Sequence, residues 1–307
     1  MNRSIPHVIA LALALTGTSC GAPVRNDRFL KAQKLGVVRT PLIKEASGMV
    51  ASRKNPGVIW VHNDSGDAPR LFALDANANL LGICTIVGVQ ARDWEDIAIG
   101  PGPDPNQQYL YIGDIGDNTA RHPSVRVYRV SEPDLDPAHA FGERRLGPAE
   151  TIELTYPGGP RDAETLLVDP QTRDIFLIAK RELLCRVYRA AWPQSTASPT
   201  VLERVVTLPW AFATGGDISP DGREVIVRSL HNASLWTRAD GKPLWQAFRG
   251  PQIGLPLASE PQGEAISFDS EGQGYFTLSE KANAPLYYFG RIADKNNSPL
   301  SDAPPQP

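Results

Sequence analysis

The sequence predicts an all-β protein built from repeated units. Three observations lead there. Its 28 prolines and 26 glycines are spread along the chain, as suits many short strands joined by turns. No long amphipathic helical period appears. One pattern of strand and turn recurs five times. The length of 307 residues allows one large β domain or two ordinary ones.

Each unit opens with a polar or acidic start and a short apolar strand. The five openings are Glu45-Ala-Ser-Gly-Met-Val, Asp93-Trp-Glu-Asp-Ile-Ala, Asp162-Ala-Glu-Thr-Leu-Leu, Thr214-Gly-Gly-Asp-Ile-Ser and Gln262-Gly-Glu-Ala-Ile-Ser. Turns rich in Pro, Gly, Asp and Asn follow, at Arg53–Gly57, Gly100–Asn106, Asp169–Asp174, Ser219–Arg223 and Asp269–Gly274. These residues favour turns through their backbone freedom, fixed φ or side-chain bonds to nearby amides. Second strands are expected at Val58–Val61, Tyr109–Ile112, Ile175–Ile178, Val225–Val227 and Tyr275–Leu278. Third strands share a look: Arg70-Leu-Phe-Ala-Leu, Val125-Arg-Val-Tyr-Arg, Cys185-Arg-Val-Tyr-Arg, Ser234-Leu-Trp-Thr-Arg and Pro285-Leu-Tyr-Tyr-Phe. Fourth strands fit at Leu81–Val87, Thr151–Tyr156, Val201–Leu208 and Trp245–Gly250, and the last unit has none.

Ser47, Glu95, Glu164, Gly216 and Glu264 fall at matching places, at intervals of about fifty residues; the longest interval holds a Pro- and charge-rich insertion, Ser131–Pro148. Four-stranded units at this period predict a five-bladed β-propeller. The missing fourth strand of the last blade is supplied by the N-terminal segment Leu35–Leu42, which closes the ring and leaves no open sheet edge there. A six-bladed ring is the alternative, if the insertion hides a degenerate blade. A β-sandwich does not explain five matching units.

The ends read differently. Arg3 precedes an apolar run, Val8–Leu15, of signal-peptide length, followed by Thr18-Ser19-Cys20-Gly21-Ala22. Small residues ending at a cysteine are similar to a bacterial lipoprotein cleavage site, although Gly17 stands where a leucine is usual. Residues 1–20 are therefore expected to be an export signal with lipid attachment at Cys20, the alternative being a cleaved signal without lipid. The destination would be the periplasm, outer membrane or cell surface, or secretion to the medium. Residues 21–34 would be a tether, 35–292 the propeller and 293–307 a disordered Pro- and Asn-rich tail. The net charge of -3 gives no reason to expect nucleic acid, and a monomer is expected. Cys84 and Cys185 fall in different units and are expected to be buried free thiols rather than a disulfide.

With the repeats in place, Glu45-Ala-Ser-Gly-Met, His62-Asn-Asp-Ser-Gly-Asp, Asp93-Trp-Glu-Asp-Ile-Ala and Tyr111-Ile-Gly-Asp-Ile-Gly-Asp-Asn resemble a group of secreted bacterial β-propeller proteins, mostly of unassigned function. Their described neighbours look like the phytase-like, gluconolactonase-like and NHL-repeat propellers. The resemblance spans about Leu35 to Ile292 and implies the fold. Phytase-like propellers use calcium held by carboxylates, with cations binding phosphate, but this chain has no full match to their motif.

In a propeller, the loop entering the innermost strand and the loop joining strands two and three lie on one face. Two groups of residues should meet there. The inner-strand starts bring Glu45, Ser47, Asp93, Glu95, Asp162, Glu164, Asp217 and Glu264. The second loops bring His62, Asn63, Asp64 and Asp67, then Asp114, Asp117 and Asn118, and then Lys180, Arg181, Glu182, Arg228, His231, Asn232, Glu280 and Lys281. Clustered carboxylates repel one another unless protonated, paired or metal-bound. Calcium takes several oxygen ligands, so Glu95, Glu164, Glu264, Asp64 and Asp114 are the candidate metal ligands. Lys180, Arg181, Lys281 and His231 are the candidates for holding a small anion. A metal beside such cations suits hydrolysis of a small anionic ester, a phosphoester or lactone, with activated water as nucleophile.

Simpler roles compete. The acids could each bond backbone amides of a neighbouring blade; Asp64 and Asp67 could only shape a turn; Lys180, Arg181 and Lys281 could only neutralise the acids. His62 and His231 fit turn or core positions better than general bases. Asp75-x-Asn77-x-Asn79 begins like a calcium loop but has Leu80 where glycine is needed, so a hairpin turn fits better. Gly17-Thr-Ser-Cys-Gly matches a hydrolase pattern only within the signal segment. A non-catalytic propeller binding a protein or small ligand is the competing function class.

Overall fold

The structure is a computed structural model and describes residues 28–292. The signal segment with Cys20, most of the tether and the tail from residue 293 onward lie outside the described residues.

Five small antiparallel sheets form the blades of a β-propeller. Blade one runs β2 (Ala46–Ala51), β3 (Ile59–Asn63), β4 (Arg70–Leu74) and β5 (Leu80–Ile86) from the axis outward. Blade two runs β6 (Trp94–Pro101), β7 (Gln108–Asp114), β8 (Val125–Ser131) and β10 (Glu150–Thr155). Blade three is β11 (Ala163–Val168), β12 (Ile175–Ala179), β13 (Arg186–Ala190) and β15 (Glu203–Thr207). Blade four is β16 (Ala213–Ile218), β17 (Glu224–Ser229), β18 (Ala233–Thr237) and β19 (Ile253–Leu255). Blade five is β20 (Gly263–Phe268), β21 (Gly274–Ser279), β22 (Pro285–Gly290) and the N-terminal β1 (Gln33–Val37), which closes the ring against β22. Packing extends further back than Leu35: Phe29 is buried and bridges to Arg291.

Strand alternation builds the core. Successive residues of an inner strand point to opposite faces, so each serves a different neighbour. Met49 packs in the apolar layer shared by blades one and five, while Val50 packs in the layer shared by blades one and two. Five such layers fill the five interfaces of the ring. Several turns after the inner strands close as expected for Asp: Asp104, Asp169 and Asp269 accept the amides of Asn106, Gln171 and Glu271 at 2.9, 3.0 and 3.0 Å. Asp75 does the same for Asn77 and Asn79, at 2.8 Å each, so that segment is a hairpin turn. Cys84 and Cys185 are buried free thiols; burial pushes their thiols up to about 12 and about 11.

Two expectations need correction. Trp245–Gly250 is not the fourth strand of blade four. Leu244–Arg249 is a 3-10 helix that buries Leu244, Ala247 and Phe248, and the outer strand is the short β19 beyond it. The apolar spacing 244, 247, 248 is helical, and Pro243 starts it. The insertion hides no sixth blade. Its Gly142–Leu146 forms β9, which lies parallel to β5 on the outer edge of blade one. A second short strand, β14 (Thr200–Val201), covers the outer edge of blade two in the same way.

Candidate carboxylate site

Every inner strand carries a bulge near its start. The extra residues are Glu95, Glu164, Thr214 and Glu264, and in blade one Ser47 and Gly48 together face His62. A bulge re-aims a side chain out of the regular alternation. Thr214, not Gly216, therefore occupies the fourth equivalent position. The matching Gly-x-x-Ile-Ser wording of the fourth unit conceals this two-residue offset.

The bulges gather acids into two triads. One carboxylate oxygen each from Asp64, Asp93 and Glu95 lies within 4.8 Å of the others, and so do oxygens from Glu95, Asp162 and Glu164. Glu95 belongs to both. That spacing is compatible with oxygens sharing one cation at ~2.3–2.6 Å. Glu95 is 3% exposed, and no described residue donates a hydrogen bond to its carboxylate. Gly116 lies directly against it: a Cβ there would stand 2.2 Å from Glu95 Oε1 and 2.5 Å from Asp93 Oδ2. Only a glycine lets the backbone approach so closely.

The electrostatics are those of an acid excess. Burial, then the charges of Glu164, Asp64 and Asp93, pushes Glu95 well above the usual carboxylate range. Burial, followed by Asp64, Asp162 and Asp114, pushes Asp93 up to about 6. Burial also raises Glu164 and Glu264, with Lys180 acting against the shift in both. Lys180 ion-pairs with Glu164 and stands 3.9 Å from Glu264. Burial disfavours its charge, but Glu164, Glu264 and Glu95 hold it above the ordinary lysine value.

The remaining candidates separate. Asp114 is in neither triad. It accepts the amides of Asp93 at 2.8 Å and Arg92 at 3.2 Å, and Tyr128 Oη donates to it at 3.3 Å, so it holds the loop that carries Asp93. Glu264 belongs to neither triad and stands 3.9 Å from Lys180. Arg181 pairs with Asp162 at 2.8 Å and also bonds Asn118. Lys281 is exposed and forms no ion pair with a described residue. His231 is exposed and lines a separate cavity on blade four. Asp67 is held low, against the cost of burial, by Arg70 and Asn63, and shapes its loop. His62 is fully buried edge-on to Trp94, and burial lowers it to about 4. It is a neutral core residue packed beside Gly48.

Asp93 and Asp162 complete the triads and were not among the candidate ligands. Their signal is visible in hindsight: Asp93-x-Glu95 and Asp162-x-Glu164 are the two places where an acid precedes the bulge glutamate by two residues. The amide-bonding role expected for the bulge glutamates is instead filled by other acids. Asp96 accepts the amides of Ile97 at 2.9 Å and Leu166 at 3.0 Å, tying blade two to blade three. Asp217 accepts those of Ile218 at 2.8 Å and Phe268 at 2.9 Å, tying blade four to blade five.

No protein-family profile matches the chain. No curated protein sequence matches it either. Among solved structures the chain is similar to a luciferin-regenerating enzyme, with a TM-score of 0.44 and 10% identity over 83% of this chain and 94% of that one. That likeness carries no chemistry over to this chain.

Proposed function

We propose that this face of the propeller binds a divalent cation, calcium by its all-oxygen donor set, and uses it to hydrolyse a small anionic ester in an exported protein. The observation that carries the reading is Glu95: a buried carboxylate shared by two acid triads, with no hydrogen-bond donor among the described residues. Such a group favours a proton or a cation over standing charged among other acids. Asp64, Asp93 and Glu95 would be the principal ligands, with Asp162 and Glu164 reached through Glu95. The cation would polarise the ester and activate water. Among the chain's own groups, Lys180 cancels charge on Glu164 and Glu264, and Asp114 fixes the Asp93 loop. Exposed Lys281 is free to attract the anion.

A binding module without catalysis is the second reading. It is favoured by the engagement of Lys180 and Arg181 in internal ion pairs, which leaves fewer cations for substrate. Titration calorimetry with calcium tests the first step. Binding with an affinity of about 0.1–1 mM, as in extracellular modules, is expected for the wild type. Glu95→Gln and Asp64→Asn should each abolish it. No calcium binding at all sinks the hydrolase. Calcium binding with silence across a phosphoester, lactone and carboxylic ester screen supports the binding module instead.

A further inference from the structure

We propose that the large cavity on blade four is a recognition pocket for a neutral saccharide unit. The cavity has a volume of about 620 Å³ and lies between the β17–β18 loop, β19 and the segments leading into β16 and β20. Among the described residues its walls carry no Asp, Glu, Lys or Arg, and exposed His231 is the one imidazole in them. Four other surface cavities, of about 210 to 410 Å³, each have at least one charged side chain in their lining. An anion or a cation would therefore find a better partner elsewhere on this surface.

The lining instead combines one aromatic plate with hydroxyl and amide groups, beside the imidazole of His231. Trp210 supplies the plate, and Ser229, Asn232, Ser234 and Gln252 supply hydroxyls and amides. A sugar ring has the matching chemistry: a face of C–H groups for the indole and a rim of hydroxyls that both donate and accept. An acyl chain would leave these polar groups unpaired, which is costly.

The plate is held in place before any ligand arrives. Trp210 stacks on Trp236 with centroids 6.3 Å apart and planes 22° apart, and its carbonyl accepts the Cys185 amide at 2.8 Å. Phe212, two residues on, has a φ of 63°. That conformation is strained for an aromatic residue and is the kind of feature that clusters at ligand sites. The buried indole N–H has no acceptor among the described residues. Gln252 is oriented by donating to Ser234 Oγ at 2.7 Å, and its carbonyl oxygen takes no hydrogen bond from a described residue.

This pocket needs neither the cation nor the acid triads. Joined to them, it would make the substrate a sugar ester, an extension that rests on the function proposed above. The two are separated by working in EDTA. Saturation-transfer NMR and calorimetry on the full chain, with glucose, maltose, cellobiose, lactose and N,N′-diacetylchitobiose as probes, should show binding of at least one disaccharide. Trp210→Ala and Gln252→Ala should each weaken it by about tenfold, the typical effect of a central contact. Trp210→Phe, which keeps a ring, should weaken it less, and Glu95→Gln should leave it unchanged. Binding of none of the five sugars overturns the proposal. So does sugar binding that survives both alanine substitutions in folded protein. Failure of calcium binding with sugar binding intact removes only the cation reading.

Discussion

Glu95 and Asp96 are neighbours on one inner strand, both buried and both acidic, yet they do opposite work. Asp96 and its counterpart Asp217 hand their oxygens to backbone amides across two blade interfaces. Glu95 takes no hydrogen bond on its carboxylate from a described residue and faces other acids. Burial raises all three, so the direction of the shift does not tell them apart. What separates them is whether donors were built around the charge. The bulge makes the difference: it turns one residue out of the ladder toward the cluster and returns the next to the blade interface.

The comparison breaks first on stability. Asp96→Ala or Asp217→Ala strands at least two buried amides, so each should cost about 2–5 kcal/mol in urea unfolding, with or without calcium. Glu95→Ala should show no such loss in EDTA; a comparable loss would place it with the interface acids.

His62 offers a control of opposite sign. Its proton affinity is lowered to about 4 by burial, so it stabilises the fold above the unfolded value near 6.5. That contribution, about 3 kcal/mol at most, should fade as pH falls from 6.5 toward 4. His62→Phe should flatten the acid side of a melting curve measured against pH.

Calcium should stabilise the wild type by about 3 kcal/mol at a hundredfold excess over its dissociation constant, and should leave Glu95→Gln unmoved. In EDTA, Asp93 with its value raised to about 6 stabilises fully below about 4 and loses that contribution as pH rises through 6. Saturating calcium should suppress this loss in thermal melts. If calcium leaves the pH profile unchanged, the triads are not its ligands.

Smaller effects sharpen the boundary. In EDTA, at a pH high enough to ionise Glu95, Glu95→Gln should raise stability by about 1–2 kcal/mol, because it removes a buried charge without stranding a partner. Arg181→Ala should cost less than about 1 kcal/mol by urea unfolding, since Arg181 is half exposed in its pair with Asp162.

The blades were legible because strand, turn and period repeat together. Glu95, Glu164 and Glu264 could be placed near the axis from those repeats alone. Three things were hidden. A bulge leaves no mark in apolar alternation, so Gly216 rather than Thr214 lines up with the glutamates in the sequence. Acid–amide bonds between blades depend on register across the ring, so Asp96 passed unnoticed beside Glu95. The blade-four strand was missed because Trp245 and Phe248 look strand-like locally, while their neighbours Leu244 and Ala247 set a helical spacing.

The outer strands overlap like roof shingles. Chain from the blade-two region lies over the rim of blade one, chain from blade three lies over blade two, and the N-terminus seals blade five. Among the described residues, blade four ends in the three-residue β19 with no further strand over it. Fraying should therefore begin there, with amide exchange fastest and proteolytic nicking earliest between residues 238 and 258. That is also the blade holding the Trp210 cavity. A ligand seated against Trp210 and Gln252 would close the loosest seam of the ring, and protection of that seam would report its arrival.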